Sequence, residues 1–156
     1  MTETIEDDVA IVTGASSGIG RETALALARE GVDVALAARR AERLKELADR
    51  IEAETDAEAL VVPTDVREEA AVEALIETSV ETFGRLDILV NNAGLVVGAE
   101  IEDLPTEKYR AMMETNADGM FFATRAALPH LRESGGTLIF IGSYAGQYPR
   151  SYNPAY

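Results

Sequence analysis

Residues 8–20 read DVAIVTGASSGIG, and this stretch decides the fold that the sequence predicts. The apolar run Asp8–Thr13 predicts a buried strand, and the alanine- and leucine-rich run Ile19–Glu30 predicts a helix that ends at Gly31. Glycines between a strand and a helix permit a tight turn and a close approach of backbone to ligand. The free N–H groups of the helix start attract phosphate. The segment therefore predicts a phosphate-binding loop, although Gly and Ser also form ordinary turns.

The rest of the chain alternates predicted strands with predicted helices. The strands are Asp33–Ala38, Ala59–Pro63, Leu86–Asn91 and Thr137–Ile141, and the helices are Arg40–Thr55, Arg67–Phe83 and Thr106–Arg132. Strands that are apolar throughout are typical of a parallel sheet covered by helices on both faces. We therefore expect an α/β fold: a doubly wound, Rossmann-like parallel sheet in three layers, incomplete at its C-terminal side. Ligands of such sheets bind beyond the carboxyl ends of the strands.

Length and composition narrow the classes of protein. The 156 residues leave room for one domain, which we expect to span 1–156. The chain has no cysteine and one histidine, His130, which excludes a disulfide framework, a thiolate nucleophile and a multi-histidine metal site. The sequence shows neither a secretory signal nor an apolar run of the roughly 20 residues that cross a bilayer. We therefore expect a cytoplasmic protein with no membrane contact and no metal.

The charge is strongly negative. The chain has 28 acidic and 14 basic residues, which gives a net charge of −14. Only two of the basic residues, Lys45 and Lys108, are lysines. A polyanion of this size repels nucleic acids and acidic lipids, so neither is an expected partner. Two interpretations of the charge stay open: an ordinary solvated acidic surface, or the adaptation of a halophile to a cytoplasm whose salt screens the repulsion.

Several motifs together indicate a family. The loop Thr13–Gly20 has the spacing T-G-x3-G-x-G and lacks the Lys of a Walker A loop. In this spacing it resembles the fingerprint of the short-chain dehydrogenase/reductase family. The resemblance continues in order, over nearly the whole chain, at Asp65-Val66, Asn91-Asn92-Ala93-Gly94, Asn116, Ser143 and Tyr156. It implies an oxidoreductase that transfers a hydride between a nicotinamide cofactor and a small-molecule carbonyl or alcohol.

The resemblance also implies where the cofactor binds. The cofactor-binding residues would be Gly14, Ser16, Ser17, Gly18, Ile19, Gly20, Arg39, Asp65, Val66, Asn92, Ala93 and Gly94. After the second predicted strand, Ala38-Arg39-Arg40 contains no acid to bind the adenosine ribose of NAD. A guanidinium suits the 2′-phosphate of NADP, so NADP is favoured over NAD. Alternatively, these arginines only begin a charged helix.

Two of these motifs have a plain structural alternative. By resemblance, Asp65 contacts the adenine amine and the N–H of Val66 a ring nitrogen. Asp65 and Glu68 also have the spacing of a capping box at a helix start. The Asn91–Gly94 motif resembles the one that stabilises the central sheet and lies against the cofactor ribose. It is also consistent with an ordinary turn.

The catalytic residues implied by the resemblance are Asn116, Ser143 and Tyr156. Asn116 would lie at a helix distortion that holds a water in a proton relay, and Ser143 would hydrogen-bond the reacting oxygen. The Tyr156 phenol would donate or accept the proton there. A tyrosine ordinarily titrates near pH 10. The family lowers that value with a lysine four residues further on, because its charge favours the phenolate.

The given chain ends at Tyr156, before the position of that lysine. By resemblance it is the N-terminal portion of a longer protein, expected to be nearly inactive by itself and to leave its fifth strand at an exposed edge. An NADP-binding fragment or sensor without turnover is the alternative. In the family, the helix predicted over 106–132 packs against a second subunit, which implies a homodimer or homotetramer. The substrate stays open beyond an apolar site that includes Val96, Val97, Ala145, Gly146 and Tyr148.

Overall fold

The structure of the protein is a computed structural model that describes residues 4–143. Its strands are β1 Val9–Thr13, β2 Asp33–Ala38, β3 Ala59–Pro63, β4 Ile88–Asn91 and β5 Thr137–Phe140. Its α-helices are α1 Gly18–Arg29, α2 Ala41–Glu54, α3 Glu69–Phe83, α4 Thr106–Met113 and α5 Gly119–Ser134. The predicted strands and helices are confirmed, with bounds that differ by at most two residues, except in the region of α4 and α5.

The strands form one parallel sheet in the order β3-β2-β1-β4-β5. The chain moves outward from β1 to β3 and then crosses back to β4, so the order reverses beside β1. Helices α1 and α2 cover one face of the sheet, and α3 and α5 cover the other. The expected doubly wound, Rossmann-like fold in three layers is therefore confirmed. Its switch point, where such sheets bind ligands, lies between the carboxyl ends of β1 and β4.

The central strand shows why this sequence forms such a sheet. Every residue of β1 is buried. Val12 packs toward α1 and α2, while its neighbour Ile11 packs toward α3 and α5, because successive side chains of a strand point to opposite faces. An apolar run without alternation fits this position, since helices cover both faces.

The two outer strands are less buried than their apolar sequences predict. β3 is half-buried, and in β5 the side chains of Ile139 and Phe140 are 37% and 53% exposed. The expectation of cover on both faces is therefore wrong in part for β3, whereas an exposed β5 was expected. Each pairs with a neighbour along one edge only in residues 4–143. The expected exposed edge at β5 is present.

The helix predicted over 106–132 is divided by a distortion. α4 ends at Met113, the segment Glu114–Asp118 is π-helical, and α5 then continues to Ser134. The expectation of one regular helix is wrong, whereas a distortion at Asn116, which the family resemblance implies, is present. No helix in the part of the chain described here is long and apolar enough to cross a membrane.

Candidate functional site

A cleft of about 800 Å³ lies beyond the carboxyl ends of the central strands, a size typical of small-molecule sites. The predicted site residues that line it are Gly14, Ser16, Ser17, Ile19, Arg39, Asp65, Val66, Asn92, Ala93, Gly94, Asn116 and Ser143. Gly18 and Gly20 belong to the same loop but do not line the cleft. Tyr156, Ala145, Gly146 and Tyr148 lie outside the described residues. The structure thus brings together residues from six separate segments of the chain.

Glycine is required at position 14 by both conformation and space. Its φ is +67°, and a Cβ there would lie 2.8 Å from Asn92 Nδ2 and 2.9 Å from Ala93 Cα. The Asn92 amide donates hydrogen bonds to the carbonyl oxygens of Thr13, at 2.9 Å, and Gly14, at 3.4 Å. The loop after β1 therefore packs directly on the segment after β4, which forms the base of the cleft.

Thr13 joins the same two strand ends through its hydroxyl. The Thr13 Oγ1 accepts hydrogen bonds from the backbone N–H groups of Asn92 and Ala93, both at 3.0 Å, and donates to the Val90 carbonyl at 3.2 Å. Its side chain is buried, so these bonds replace water that the hydroxyl loses on folding. These hydrogen bonds hold the Asn92–Gly94 segment beside the glycine loop, which an ordinary turn would not require.

The start of α1 is electropositive. Ser17, the N-cap residue, makes no side-chain capping hydrogen bond, and the first turn contains no acidic residue. The Arg40 guanidinium donates hydrogen bonds to the Ser16 hydroxyl, at 2.9 Å, and to the Ser17 hydroxyl, at 2.8 Å. A guanidinium and the positive end of the helix dipole are thus at the same place. This combination fits a phosphate group.

Asp65, beyond β3, pairs with Arg67 instead of capping a helix. The Arg67 Nε lies 3.0 Å from Asp65 Oδ1, and one terminal nitrogen lies 2.5 Å from Oδ2. These hydrogen bonds hold the pKa of the Asp65 carboxyl below its ordinary value. Helix α3 starts at Glu69 with Glu68 as its N-cap residue, and Glu68 makes no side-chain capping bond. The capping box suggested by the spacing of Asp65 and Glu68 is therefore absent.

Asn116 connects the π-helical segment to the loop after β4. Its Oδ1 accepts a hydrogen bond from the Leu95 N–H at 2.7 Å, and its Nδ2 donates to the Leu95 carbonyl at 2.8 Å. The side chain thus satisfies both backbone groups of one residue, as a paired strand would. In the structure Asn116 positions the loop that borders the cleft, and its role in a proton relay stays a prediction.

The comparisons with known proteins agree with this geometry. The family model described as short chain dehydrogenase matches residues 8–156. The chain belongs to this family. Members of the family are oxidoreductases that bind a nicotinamide cofactor. The matched residues include all five strands and every segment that lines the cleft.

Relatives within the short-chain dehydrogenase family are longer than this chain. An uncharacterized oxidoreductase from Staphylococcus aureus strain USA300 is 40% identical over 143 residues, which are 91% of this chain and 61% of the relative. A Staphylococcus saprophyticus counterpart is 41% identical over the same shares. The alcohol dehydrogenase from Thermococcus sibiricus, solved with 5-hydroxy-NADP, superposes with a TM-score of 0.93 at 35% identity. That match covers 96% of this chain and 63% of the other.

Sequence reasoning left three residues of the cleft region outside the candidate set. Thr13 begins the glycine-rich segment Thr13–Gly20, and its signal is a polar residue at the end of an apolar strand. Arg40 follows Arg39, yet it is Arg40 that contacts the glycine loop. Arg67 had no signal beyond its place two residues after Asp65, because the pairing of the two depends on side-chain conformation.

Replacing Asn116 with alanine should weaken the fold locally. The variant leaves the Leu95 N–H and carbonyl without their partners, and an unsatisfied half-buried pair is expected to reduce the free energy of unfolding by about 1–3 kcal/mol. Urea denaturation measures this loss. The control is Asp118→Ala in the same π-helical segment, whose exposed side chain should contribute within about 0.5 kcal/mol. Equal losses in the two variants would contradict the positioning role of Asn116.

Proposed function

We propose that the whole protein is an NADP(H)-dependent oxidoreductase that transfers a hydride between the cofactor and a carbonyl or secondary alcohol. The observation that carries the proposal is the pair of arginines after β2. Arg39 lines the cleft where an acid would bind the ribose of NAD, and Arg40 bridges to the start of α1. Two permanent positive charges at this place favour a 2′-phosphate. The NADP analogue bound by the Thermococcus sibiricus enzyme supports the same preference.

The shape and lining of the cleft fit such a cofactor. Gly14 and Gly20 let the loop lie against Asn92, since a Cβ on either glycine would overlap the Asn92 amide. Ile19 lies on the cleft with its side chain 62% exposed. An apolar residue exposed next to a phosphate-binding loop fits burial under a ligand. These features support a bound dinucleotide along the ends of β1, β2 and β4.

The proposed chemistry assigns one role to each candidate catalytic residue. When bound, the cofactor supplies or accepts the hydride. Tyr156 would exchange the proton at the substrate oxygen, and Ser143 would hydrogen-bond the same oxygen. Ser143 is exposed and lines the cleft, as does Asn116 at the π-helical segment. Asn116 would hold the water through which that proton is replaced.

The substrate side of the cleft is largely apolar. Its lining includes Leu95, Val96, Met113 and Met120. Side chains of this kind bury the hydrocarbon part of a substrate and leave the reacting oxygen to polar groups. We propose a small carbonyl or secondary alcohol with an apolar substituent as the substrate class.

Steady-state kinetics of the whole protein tests the cofactor preference. With a carbonyl substrate of this class, kcat/KM for NADPH should exceed that for NADH by about 100-fold, because the 2′-phosphate gains one or two charge-assisted hydrogen bonds of roughly 1.5–3 kcal/mol each. Equal values for the two cofactors would contradict the assignment of Arg39 and Arg40. Turnover with neither cofactor would contradict the proposed function itself.

We further propose that the acidic surface is a halophilic adaptation. Asp87 is the one buried acidic residue in the described part of the chain, so the repulsion acts mainly between solvated charges, which salt screens. Raising KCl from about 0.1 M to molar concentration, where the screening length falls to about 3 Å, should raise the melting temperature by several degrees. Sucrose of equal osmolality, which screens nothing, is the control. An equal rise in sucrose, or no rise in KCl, would contradict the proposal.

A second subunit is also part of the proposal. The region of α4 and α5 exposes two aromatic side chains, Tyr109 at 45% and Phe121 at 57%. The Arg125 guanidinium lies 5.0 Å from the Phe121 ring centroid and also pairs with Glu69. Exposed aromatic residues beside an arginine are typical of protein interfaces. We therefore propose that the whole protein is a homodimer or homotetramer that uses this helical face.

A further inference from the structure

We propose that Arg67 determines cofactor specificity: its guanidinium neutralises the Asp65 carboxylate, so that a 2′-phosphate can bind to Arg39 next to an acidic residue. The inference rests on the proposed function and concerns the same cleft. It assigns a role to a residue that the family resemblance leaves without one. It also explains how a carboxylate and a phosphate can occupy the same end of the cleft.

The side chain and the backbone N–H of Arg67 together bind both carboxylate oxygens of Asp65, and we call this arrangement the clamp. Arg67 Nε contacts both carboxylate oxygens of Asp65, at 3.0 and 3.2 Å, and a terminal nitrogen contacts Oδ2 at 2.5 Å. The backbone N–H of Arg67 adds a bond to Oδ1 at 3.1 Å. The two side chains are 33% and 24% exposed, so the pair is only partly solvated. Both residues line the cleft.

Asp65 and Arg39 follow neighbouring strands. The Thr64 N–H donates to the Ala38 carbonyl at 2.9 Å, so the chain segments that leave β2 and β3 start side by side. The hydrogen bonds from Arg67 lower the pKa of Asp65 most, and the charge of Arg39 lowers it further. Arg39 and Asp65 thus leave neighbouring strand ends and line the same cleft, where the charge of Arg39 acts on the carboxylate. Without Arg67, this carboxylate would compete with a phosphate for Arg39 and would repel it.

The clamp leaves Asp65 able to contact adenine as well. Each carboxylate oxygen has about two acceptor positions. Those of Oδ1 are taken by Arg67 Nε and by its backbone N–H, while Oδ2 receives the terminal nitrogen at 2.5 Å and the longer branch of the shared Nε bond at 3.2 Å. An exocyclic amine would replace that longer branch, because Nε keeps its shorter bond to Oδ1. Neutralising the charge of Asp65 and contacting the base are compatible roles.

The other charges around Arg67 are negative. The pKa of the Arg67 guanidinium lies above its ordinary value, mainly through its bonds to Asp65 and then through the nearby carboxylates of Glu114 and Glu68. Arg67 is thus a positive charge among three carboxylates, and Arg39 and Arg40 are further cations that line the cleft here. Removing Arg67 would leave the carboxylates less compensated and would make this end of the cleft less favourable for a phosphate.

The test compares two ligands that differ only in the 2′-phosphate: adenosine 2′,5′-bisphosphate and adenosine 5′-monophosphate, each titrated calorimetrically into the protein. Arg67→Gln should weaken the binding of the bisphosphate about tenfold, which is the change expected from losing one compensating charge. The affinity for the monophosphate should stay within about twofold of the wild-type value. Adding Asp65→Asn to Arg67→Gln should restore bisphosphate affinity. Arg67→Lys keeps the charge without the planar fork and should lie between Arg67→Gln and wild type.

The control is Arg50→Gln, which removes an arginine from an exposed ion pair with Glu54 far from the cleft and should change neither affinity. The inference would be overturned if Arg67→Gln lost affinity equally for both ligands or lost none for the bisphosphate. It would also be overturned if the double variant bound the bisphosphate no better than Arg67→Gln. If Arg67→Gln does not fold, Arg67→Lys carries the same comparison, and equal losses there overturn it. Wild-type protein that binds neither nucleotide overturns the proposed function, and the inference with it.

Discussion

Arg39→Asp is expected to weaken the binding of adenosine 2′,5′-bisphosphate by about 100-fold or more. The change removes a charge-assisted hydrogen bond of roughly 1.5–3 kcal/mol and places a negative charge beside the phosphate. Affinity for adenosine 5′-diphosphate should hardly change, because the aspartate can accept hydrogen bonds from a free ribose. The side chain of Arg39 is exposed, so the fold should tolerate the change. Calorimetric titration of both ligands measures the shift in preference.

The control for this variant is Arg43→Asp, which makes the same change of charge four residues further on, in the first turn of α2, where the side chain is exposed and does not line the cleft. It reports the effect of net charge alone, which should be small at physiological ionic strength. If the two variants lose bisphosphate affinity equally, the loss is a general charge effect and Arg39 has no specific contact.

Gly14→Ala should both destabilise the protein and abolish nucleotide binding. An alanine here adopts a left-handed backbone, which costs about 1–2 kcal/mol, and its Cβ lies 2.9 Å from the backbone of Ala93. Backbone cannot move aside as a flexible side chain can, so overpacking adds about 1–3 kcal/mol. We expect the free energy of unfolding to fall by about 3 kcal/mol or more. Urea denaturation and nucleotide titration measure the two effects.

Gly84→Ala separates the two causes. Gly84 ends α3 with a φ of +82°, and a Cβ there would meet nothing within 4 Å. This variant has the backbone strain without the clash, so it should lose only about 1–2 kcal/mol and bind nucleotide normally. A loss equal to that of Gly14→Ala would show that the contact between the glycine loop and the segment after β4 contributes nothing.

Much of the fold was predictable because its signals are local. The apolar run of β1 and the glycines after it specify a buried strand followed by a loop and a helix, and the structure has all three. The stripe on α3, with Val72, Leu75 and Ile76 buried, follows the helical period in the same way. The exposed edge at β5 was expected from the family resemblance. Apolar composition alone could not show that β3 also lies at an edge, since strand order depends on contacts between distant segments.

The details of the site depend on such distant contacts too. Whether Arg39 or Arg40 reaches the glycine loop follows from the direction in which α2 leaves the sheet, and the structure shows Arg40 bonded to Ser16 and Ser17. Asp65 has the spacing of a capping box, but the stronger charge-assisted bonds of Arg67 take its carboxylate. The π-helical turn at Asn116 likewise forms around a partner, Leu95, from another segment.

Amide chemical-shift mapping tests the central claim most directly, namely that a 2′-phosphorylated adenosine binds at the carboxyl ends of the strands. Adenosine 2′,5′-bisphosphate is added to the ¹⁵N-labelled protein and the backbone signals are followed. The largest shifts should fall in the glycine loop around Ser16 and Ser17, at Arg39 and Arg40, and at Val66. Shifts confined to the opposite end of the sheet, in the cleft lined by Glu52, Asp56 and Glu58, or no shifts at saturating ligand, would contradict it.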